Sequence, residues 1–540
     1  MKKRVLAWML GVAMVASCVA GCGSTSEKNT TETDLAQETG ETAAADSAQE
    51  TSSDGESKLI AGATTGFFGA ESLDVANNWD GWIMSIYGIS ENLFRLDENY
   101  EPQPWIAESY ENTDDTTWTF TIRDGVTFSD GTKVTAEAVK KCFERTYEKN
   151  ERADSTLAIA SMEADGQTFT IVTPEANPTL LNDLCDPLLG IYDADQEPDE
   201  QLGVSCTGPY IATSFTAMTD VQMKANENYW GGAPKTDVVE LKIMDDEDSL
   251  NMALQNGEID MIAQLSANGA SLFEGNDDYT IDKVTTTRAN FLMFNLKSEG
   301  IDDPAVREAI NLCIDRDSFA NVVYHGYAAP SYGIYPENLS FGGTDGLELT
   351  VDSYDAEKAK TKLTEAGYSD SDGDGILDKD GTALSFTTIT YSYNTACMQL
   401  ADMLQAELGN IGIQLNIETY DVLDDSLTSG AFDIAILNYA MAPIGTSQYF
   451  VNMMFTTGSS NNYGSYTNEK VDTLAKELGV TMEKEKRDSI TKEICQEVLN
   501  DQAFAFVADQ QLIFAYSKKV SGIKINPTEY YLITNEIEVK

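Results

Sequence analysis

The sequence predicts a mixed α/β body, and three observations predict it. Strand-like stretches with period-two alternation and helix-like stretches with period 3.6 alternate along most of the chain. The helix candidates carry their own start signals, at Thr135, at Asp303 followed by Pro304, and at Asp355. No unit recurs at the fixed spacing of a barrel or solenoid.

The chain opens on Lys2, Lys3 and Arg4, followed by an apolar run over residues 5–20 broken only by Ser17 and Cys18. That length suits the core of a signal peptide and is short for a membrane span. The run ends Val19-Ala20-Gly21-Cys22. Small residues before a Cys resemble the bacterial lipobox. The resemblance implies a signal peptide over residues 1–21 and diacylglycerol on the Cys22 thiol. Two acyl chains suffice for stable anchoring where one is marginal. Residues 23–57 hold nine acids, Lys28 as the one base, and no aromatic residue. Such a stretch buries too little apolar surface to offset its ordering entropy, so residues 22–57 are expected to be a tether.

From Lys58 the elements follow in order. Residues 118–123 alternate as a half-buried strand should. Asp124-Gly125 and Asp130-Gly131 are turn dipeptides on either side of Val126-Thr127-Phe128. Thr135 starts a helix that puts Val139, Cys142, Phe143 and Tyr147 on one face. After Asp303 and Pro304, a second helix aligns Val306, Ala309, Ile310 and Cys313. A third starts at Asp355, turns Ala359 and Leu363 inward, and ends at Gly367.

The net charge of −54, from 89 acids against 35 bases, excludes nucleic acid as a partner, because phosphates demand basic surface. It also opposes direct adhesion to anionic lipid. Six Cys remain beyond the lipobox. Cys142, Cys313 and Cys495 fall on apolar helix faces and read as small core residues. Cys185 and Cys206 flank a predicted strand at residues 188–192, and a disulfide between them is one expectation outside the membrane. Zinc spacing is absent.

Six segments together resemble the large extracytoplasmic solute-binding proteins of oligopeptide, dipeptide and nickel ABC importers (family 5). Residues 120–139 read FTIRDGVTFSDGTKVTAEAV, 206–210 CTGPY and 226–235 NENYWGGAPK. Residues 253–260 read ALQNGEID, 294–316 FNLKSEGIDDPAVREAINLCIDR and 354–368 YDAEKAKTKLTEAGY. The resemblance implies a two-lobed periplasmic-binding-protein-like fold of the large peptide-binding type, with an extra lobe inserted near the N-terminus. Lobe one would comprise residues 58–90, 204–284 and 501–540, the inserted lobe 91–203, and the opposing lobe 285–500. A cleft closing on a hinge would bury a small ligand for an ABC permease and its ATPase, with the protein a monomer.

In peptide-binding relatives, the segment matching residues 438–450 carries an aromatic residue and then an Asp that pairs with the peptide's α-ammonium. Here Tyr439 supplies the aromatic residue, but the acid is missing. The 35 residues between Asp433 and Glu469 contain no charged side chain. Part of this stretch is a buried strand on one reading and a neutral, hydrogen-bonding cleft wall on the other. The second reading makes Asn438, Tyr439, Thr446, Ser447, Gln448, Tyr449, Asn461 and Asn462 ligand candidates. It predicts that a free peptide amine is not recognised in the usual way. Trp79 and Trp82 are candidate stacking surfaces, and Arg288 is a candidate partner for a ligand carboxylate. A neutral oligosaccharide or a nickel chelate is the alternative cargo. His325 is the one His in the chain, which gives bare nickel poor ligands.

Asp370, Asp372 and Asp374, followed by Gly375, Ile376 and Asp378, form the first part of a calcium-loop pattern. Gly381 stands where that pattern ends in a bidentate Glu. A structural calcium is therefore an expectation, and no cofactor is required. With one His and no Gly-x-Ser-x-Gly, His-Glu-x-x-His or phosphate-cradling motif, an enzyme is not expected. A lipoprotein sensor or chaperone on the same scaffold is the alternative class.

Overall fold

The computed structural model describes residues 55–244 and 246–540. The signal peptide, Cys22 and all but the last three residues of the tether lie outside the described residues. Residues 55–540 form one contact unit. Ser57, placed by sequence at the end of the tether, hydrogen-bonds to the Asp237 carboxylate through its amide at 2.8 Å and its hydroxyl at 2.9 Å.

The chain begins with β1 (Lys58–Ala63) and the short helix α1 (Asp80–Ile86). Next come β2 (Ala107–Asp114), β3 (Thr117–Ile122), α2 (Ala136–Lys149), β4 (Ser161–Asp165) and β5 (Thr168–Val172). These four strands make a separate antiparallel sheet, order β2-β3-β5-β4, with α2 packed on β4 and β5. The chain returns through β6 (Tyr210–Thr216), β7 (Asp220–Ala225), β8 (Val238–Ile243) and β9 (Met261–Ile262) to the long β10 (Tyr279–Phe294). Then follow α3 (Pro304–Leu312), α4 (Ala356–Glu365), β11 (Ser385–Tyr391), α5 (Thr395–Asn410), β12 (Gln414–Tyr420) and β13 (Ile434–Ala440). Last are α6 (Ser447–Phe450), α7 (Glu469–Leu478), α8 (Lys484–Asn500) and the long β14 (Phe504–Ser517).

The main sheet runs β12-β11-β13-β10-β14-β9-β1-β8-β7-β6. Strands β10 and β14 belong to both halves. At one end β14 pairs with β9, and at the other β10 pairs with β13. Their antiparallel register breaks between Thr285 and Ala289 and again between Asn290 and Phe291. A bulge bends and twists a strand locally, so these breaks mark where the two halves meet.

The helix starts form as their residues dictate. Thr135 accepts from the Ala138 amide at 3.2 Å, Asp303 from Ala305 at 2.9 Å and Asp355 from Lys358 at 2.8 Å. Strand β3 alternates buried and half-buried positions. The segment at 188–192 departs from expectation. Its first part is a 3-10 turn, Pro187–Leu189, started by Asp186 accepting from the Leu188 amide at 2.9 Å, and only Tyr192 makes a strand-like bridge, to Cys206. A Pro at the first turn position favours that start over a strand. The Cys185–Cys206 disulfide is also corrected. Both thiols are free and buried, Cys185 against the Leu181 carbonyl and Cys206 towards that of Val204.

Several family-like motifs turn out to be fasteners. In NENYWGGAPK, the Tyr229 hydroxyl and Trp230 Nε1 donate to buried Glu91 at 2.7 and 3.0 Å, and Trp105 Nε1 joins them at 2.8 Å. Arg307 and Arg316, from the 294–316 motif, bind backbone carbonyls of residues 501–506, tying the α3 region to the start of β14. Gly208 in CTGPY passes so close to Gly88 that an added Cβ would lie 2.3 Å from its carbonyl oxygen.

An acidic cleft between residues 154–186 and 444–480

A cavity of about 650 Å³ opens between residues 154–186 on one side and 444–480 on the other. That volume lies within the range of small-ligand sites. Its walls touch at Asn182, whose side-chain amide donates to the Ile444 carbonyl at 2.8 Å. Gly445 has a φ of 74°, and a Cβ there would lie 2.6 Å from the Tyr100 carbonyl oxygen. Only glycine fits this approach.

The cavity is lined by five acids, Asp154, Glu175, Asp183, Asp186 and Asp472, against one base, Lys476. Asp183 is 7% exposed. Its Oδ2 accepts from Asn177 at 2.8 Å. Burial pushes its carboxyl up to about 7. Asp186 is also raised by burial, while the charge of Arg152 draws it back down. Neither acid forms an ion pair among the described residues. Opposite them stand Thr446, Gln448 and Tyr449. The Gln448 Oε1 is buried without a partner.

Asp186 and Tyr449 also line a narrow aromatic extension with Trp79, Trp82, Arg152 and Tyr530. Trp82 meets Tyr530 edge-on at 5.1 Å and Trp79 at 6.4 Å. Arg152 lies 3.3 Å over the Trp79 ring and donates to the Asn78 carbonyl at 3.2 Å. Asp80 anchors this corner by accepting from the Glu71 and Ser72 amides at 2.9 and 2.8 Å and from Asn77 at 2.7 Å.

Residues 101–462 match the model of the bacterial extracellular solute-binding proteins, family 5. The chain belongs to that family. It is 27% identical over 447 residues to the nickel-binding protein NikA of Staphylococcus aureus, covering 83% of this chain and 88% of the relative. It is 25% identical over 460 residues to the oligopeptide-binding protein AppA of Bacillus subtilis, covering 81% and 83%. The crystal structure of S. aureus NikA with Ni(L-His)2 superposes at a TM-score of 0.76 and 26% identity, covering 90% of this chain and all of that one. B. subtilis AppA in complex with a nonapeptide shares the fold at a TM-score of 0.75, covering 90% of this chain and 99% of that one.

In this family 5 protein the sequence candidates separate into groups. Thr446, Gln448 and Tyr449 line the cavity, and Trp79 and Trp82 its aromatic extension. Trp79 is 53% exposed and so is not core. Ser447 is turned inward: its hydroxyl meets that of Thr491 at 2.6 Å, and its carbonyl accepts from Tyr335 at 3.0 Å. Asn462 is a loop fastener, bound to the Thr456 and Tyr466 carbonyls and the Tyr466 amide at 3.0, 2.7 and 2.8 Å. Asn461 accepts from Ser460 at 2.8 Å outside the cavity. Asn438 reaches toward the Ala289 carbonyl at 3.5 Å, and Tyr439 packs edge-on against Phe291 at 5.8 Å. Arg288 is engaged by Glu529. Burial opposes its charge, but the Glu529 carboxylate outweighs this and holds its pKa above the usual value.

The neutral stretch therefore has a mixed origin. Ile434 to Leu437 are buried strand, as the first reading has it. Thr446, Gln448 and Tyr449 are the only candidates from the stretch that line the cavity. The cleft as a whole is acidic, because the facing wall supplies four of its five acids and Asp472 the fifth. Asp183, Asp186, Arg152 and Tyr530 were missed by sequence reasoning. Asp183 and Asp186 sit in LNDLCDPLL, where two acids interrupt an otherwise apolar run, and that was the available signal.

In the acidic loop, Asp370, Asp372 and Asp374 bring carboxylate oxygens within 4.8 Å of one another. Asp370 also accepts from the Gly373 and Gly375 amides at 2.7 and 3.1 Å, and Asp374 from the Ile376 amide at 2.8 Å. Asp378 binds the Ser371 amide and hydroxyl at 2.9 and 2.7 Å.

Proposed function

We propose that this protein is the extracellular receptor of an ABC importer, held to the cell membrane by diacylglycerol on Cys22. It captures a peptide or peptide-like solute and hands it to the permease. The observation that supports this reading best is the roughly 650 Å³ cavity whose lining combines acids, hydrogen-bonding side chains and Tyr449. Backbone-rich solutes need such mixed walls. Binding and release are the whole task in this reading. Thermal-shift screening with di- to hexapeptides, neutral oligosaccharides and nickel chelates tests the cargo, because a ligand selective for the native state raises the midpoint. Stabilisation by peptides is expected. Stabilisation by oligosaccharides alone would overturn the reading. Labelling with radioactive palmitate should mark the wild type and not Cys22→Ser.

A nickel complex is the second reading, favoured by similarity to the S. aureus nickel-binding protein. His325 is exposed and does not line the cavity. Nickel would have to arrive with its own organic ligands.

We also propose that Asp370, Asp372 and Asp374 hold a structural calcium, with Ile376 and Asp378 completing the loop. Hard cations take clustered oxygen ligands. Calcium should raise the unfolding midpoint of the wild type, chelator should reverse it, and Asp372→Ala should respond to neither.

A further inference from the structure

We infer that Asp183, Asp186 and Gln448 form a preformed receptor for a primary ammonium group, with the turn at residues 183–186 rather than the neutral stretch 434–468 supplying the charge. This rests on the peptide reading of the cleft and names the end of the ligand that it holds. Three observations carry it. The Asp183 carboxyl is more than nine-tenths buried, lines the cavity, and has no cationic partner among the described residues, with Asn177 donating to its Oδ2. Asp186 lines the same cavity, and its Oδ1 alone is used, by the Leu188 amide. On the opposite wall, Gln448 Oε1 is buried and unpartnered. A buried acceptor left unpaired costs stability, and a buried carboxylate without a counter-charge costs more. A primary ammonium brings one positive charge and three N–H donors, which matches two carboxylate oxygens and one amide oxygen. Arg152 lowers Asp186 through its charge but does not saturate the acids: it is stacked on Trp79, bonded to the Asn78 carbonyl, and within ion-pair distance of neither among the described residues.

Two measurements on the whole body test the inference. In the first, trialanine and N-acetyl-trialanine are titrated against wild type, Asp183→Asn and Gln448→Leu. Trialanine should bind the wild type at least tenfold more tightly than its acetylated form, and Asp183→Asn should abolish that preference. Equal binding of the two peptides to the wild type would overturn the inference while leaving the peptide reading intact. Binding of neither, with binding of nickel-histidine or an oligosaccharide, would overturn the peptide reading itself. The second measurement needs no ligand. Asp183→Asn keeps an oxygen for Asn177 but removes the unpaired charge, so the ligand-free body at pH 8 should melt several degrees higher than wild type. A lower melting temperature would assign Asp183 to structure and overturn the receptor.

Discussion

Arg288 grips Glu529 side-on: its Nε and Nη2 donate to the two carboxylate oxygens at 2.9 and 2.8 Å. The pair joins the bulge of β10 to the C-terminal tail. Glu529 is held in a left-handed conformation, φ 68°, and Tyr100 donates to the neighbouring Pro527 carbonyl at 2.7 Å. A non-glycine residue in that region is strained, and the surrounding contacts must hold it there.

Glu529→Gln should therefore destabilise the body by about 1–3 kcal/mol. The full cost of orphaning a buried charge, about 3–5 kcal/mol, is reduced because Arg288 remains a quarter exposed. Chemical denaturation of both single variants and of Arg288→Met/Glu529→Gln gives the coupling. The double variant should lose less than the sum of the singles.

Much of this fold was legible because local rules and the global structure agree. Thr135, Asp303 and Asp355 start helices as their side chains allow, and β3 alternates as its sequence does. The site was less legible. Asp183 and Asp186 come from a turn some 260 residues before the wall they face, and no local pattern reports a contact across that distance. Ser447 and Asn462 have the same composition as cleft residues, yet their partners are internal. Asp186 starts a 3-10 turn with Pro187, so the run that reads as a strand is a turn over Pro187–Leu189, and only its last residue, Tyr192, pairs with Cys206.

Buried Glu91 should be the keystone that ties residues 91–105 to the loop at Tyr229 and Trp230. It accepts from Trp105, Tyr229 and Trp230, and burial raises its pKa against the lowering effect of those bonds. Glu91→Ala leaves three donors unpaired, and at roughly 1–3 kcal/mol each the loss should reach several kcal/mol. Glu91→Gln keeps one acceptor oxygen and should fall between. Urea unfolding followed by tryptophan fluorescence reads both, since two of the three donors are indoles.

Asp509 should make stability depend on pH. It sits on β14 opposite the β10 bulge, paired in register with Ala289. Its Oδ1 is buried without a partner, burial pushes its carboxyl up to about 7, Ser331 lowers it and the charge of Glu337 raises it. The folded pKa exceeds the unfolded one, so the folded state binds more protons between about pH 4 and 7. Stability from this group is complete at pH 4 and is lost as pH rises through 7. Relative to wild type, Asp509→Asn should gain up to about 4 kcal/mol at pH 8 and nothing at pH 4. A gain that is the same at both pH values would show that the carboxyl does not titrate in this window.

Arg316 is the strictest of the fasteners. It is 2% exposed. Its Nε reaches the Ser331 carbonyl at 2.9 Å and that of Phe506 at 2.7 Å, while Nη2 binds Asn311 Oδ1 at 2.5 Å. The Tyr332 ring lies 4.4 Å from its guanidinium carbon. No acid pairs with it among the described residues, and burial lowers its pKa to about 10. The charge is thus tolerated because a planar fork with several donors satisfies acceptors on three segments at once. Arg316→Met removes the charge but orphans those acceptors, and should cost about 3 kcal/mol or more. Arg316→Lys should not rescue it. A lysine ammonium has no planar fork and is more strongly hydrated, so its burial costs more for fewer bonds. Guanidinium unfolding should place the lysine variant no higher than the methionine variant. A lysine variant close to wild type would mean that charge alone, rather than the shape of the donor array, holds the 294–316 motif against β14.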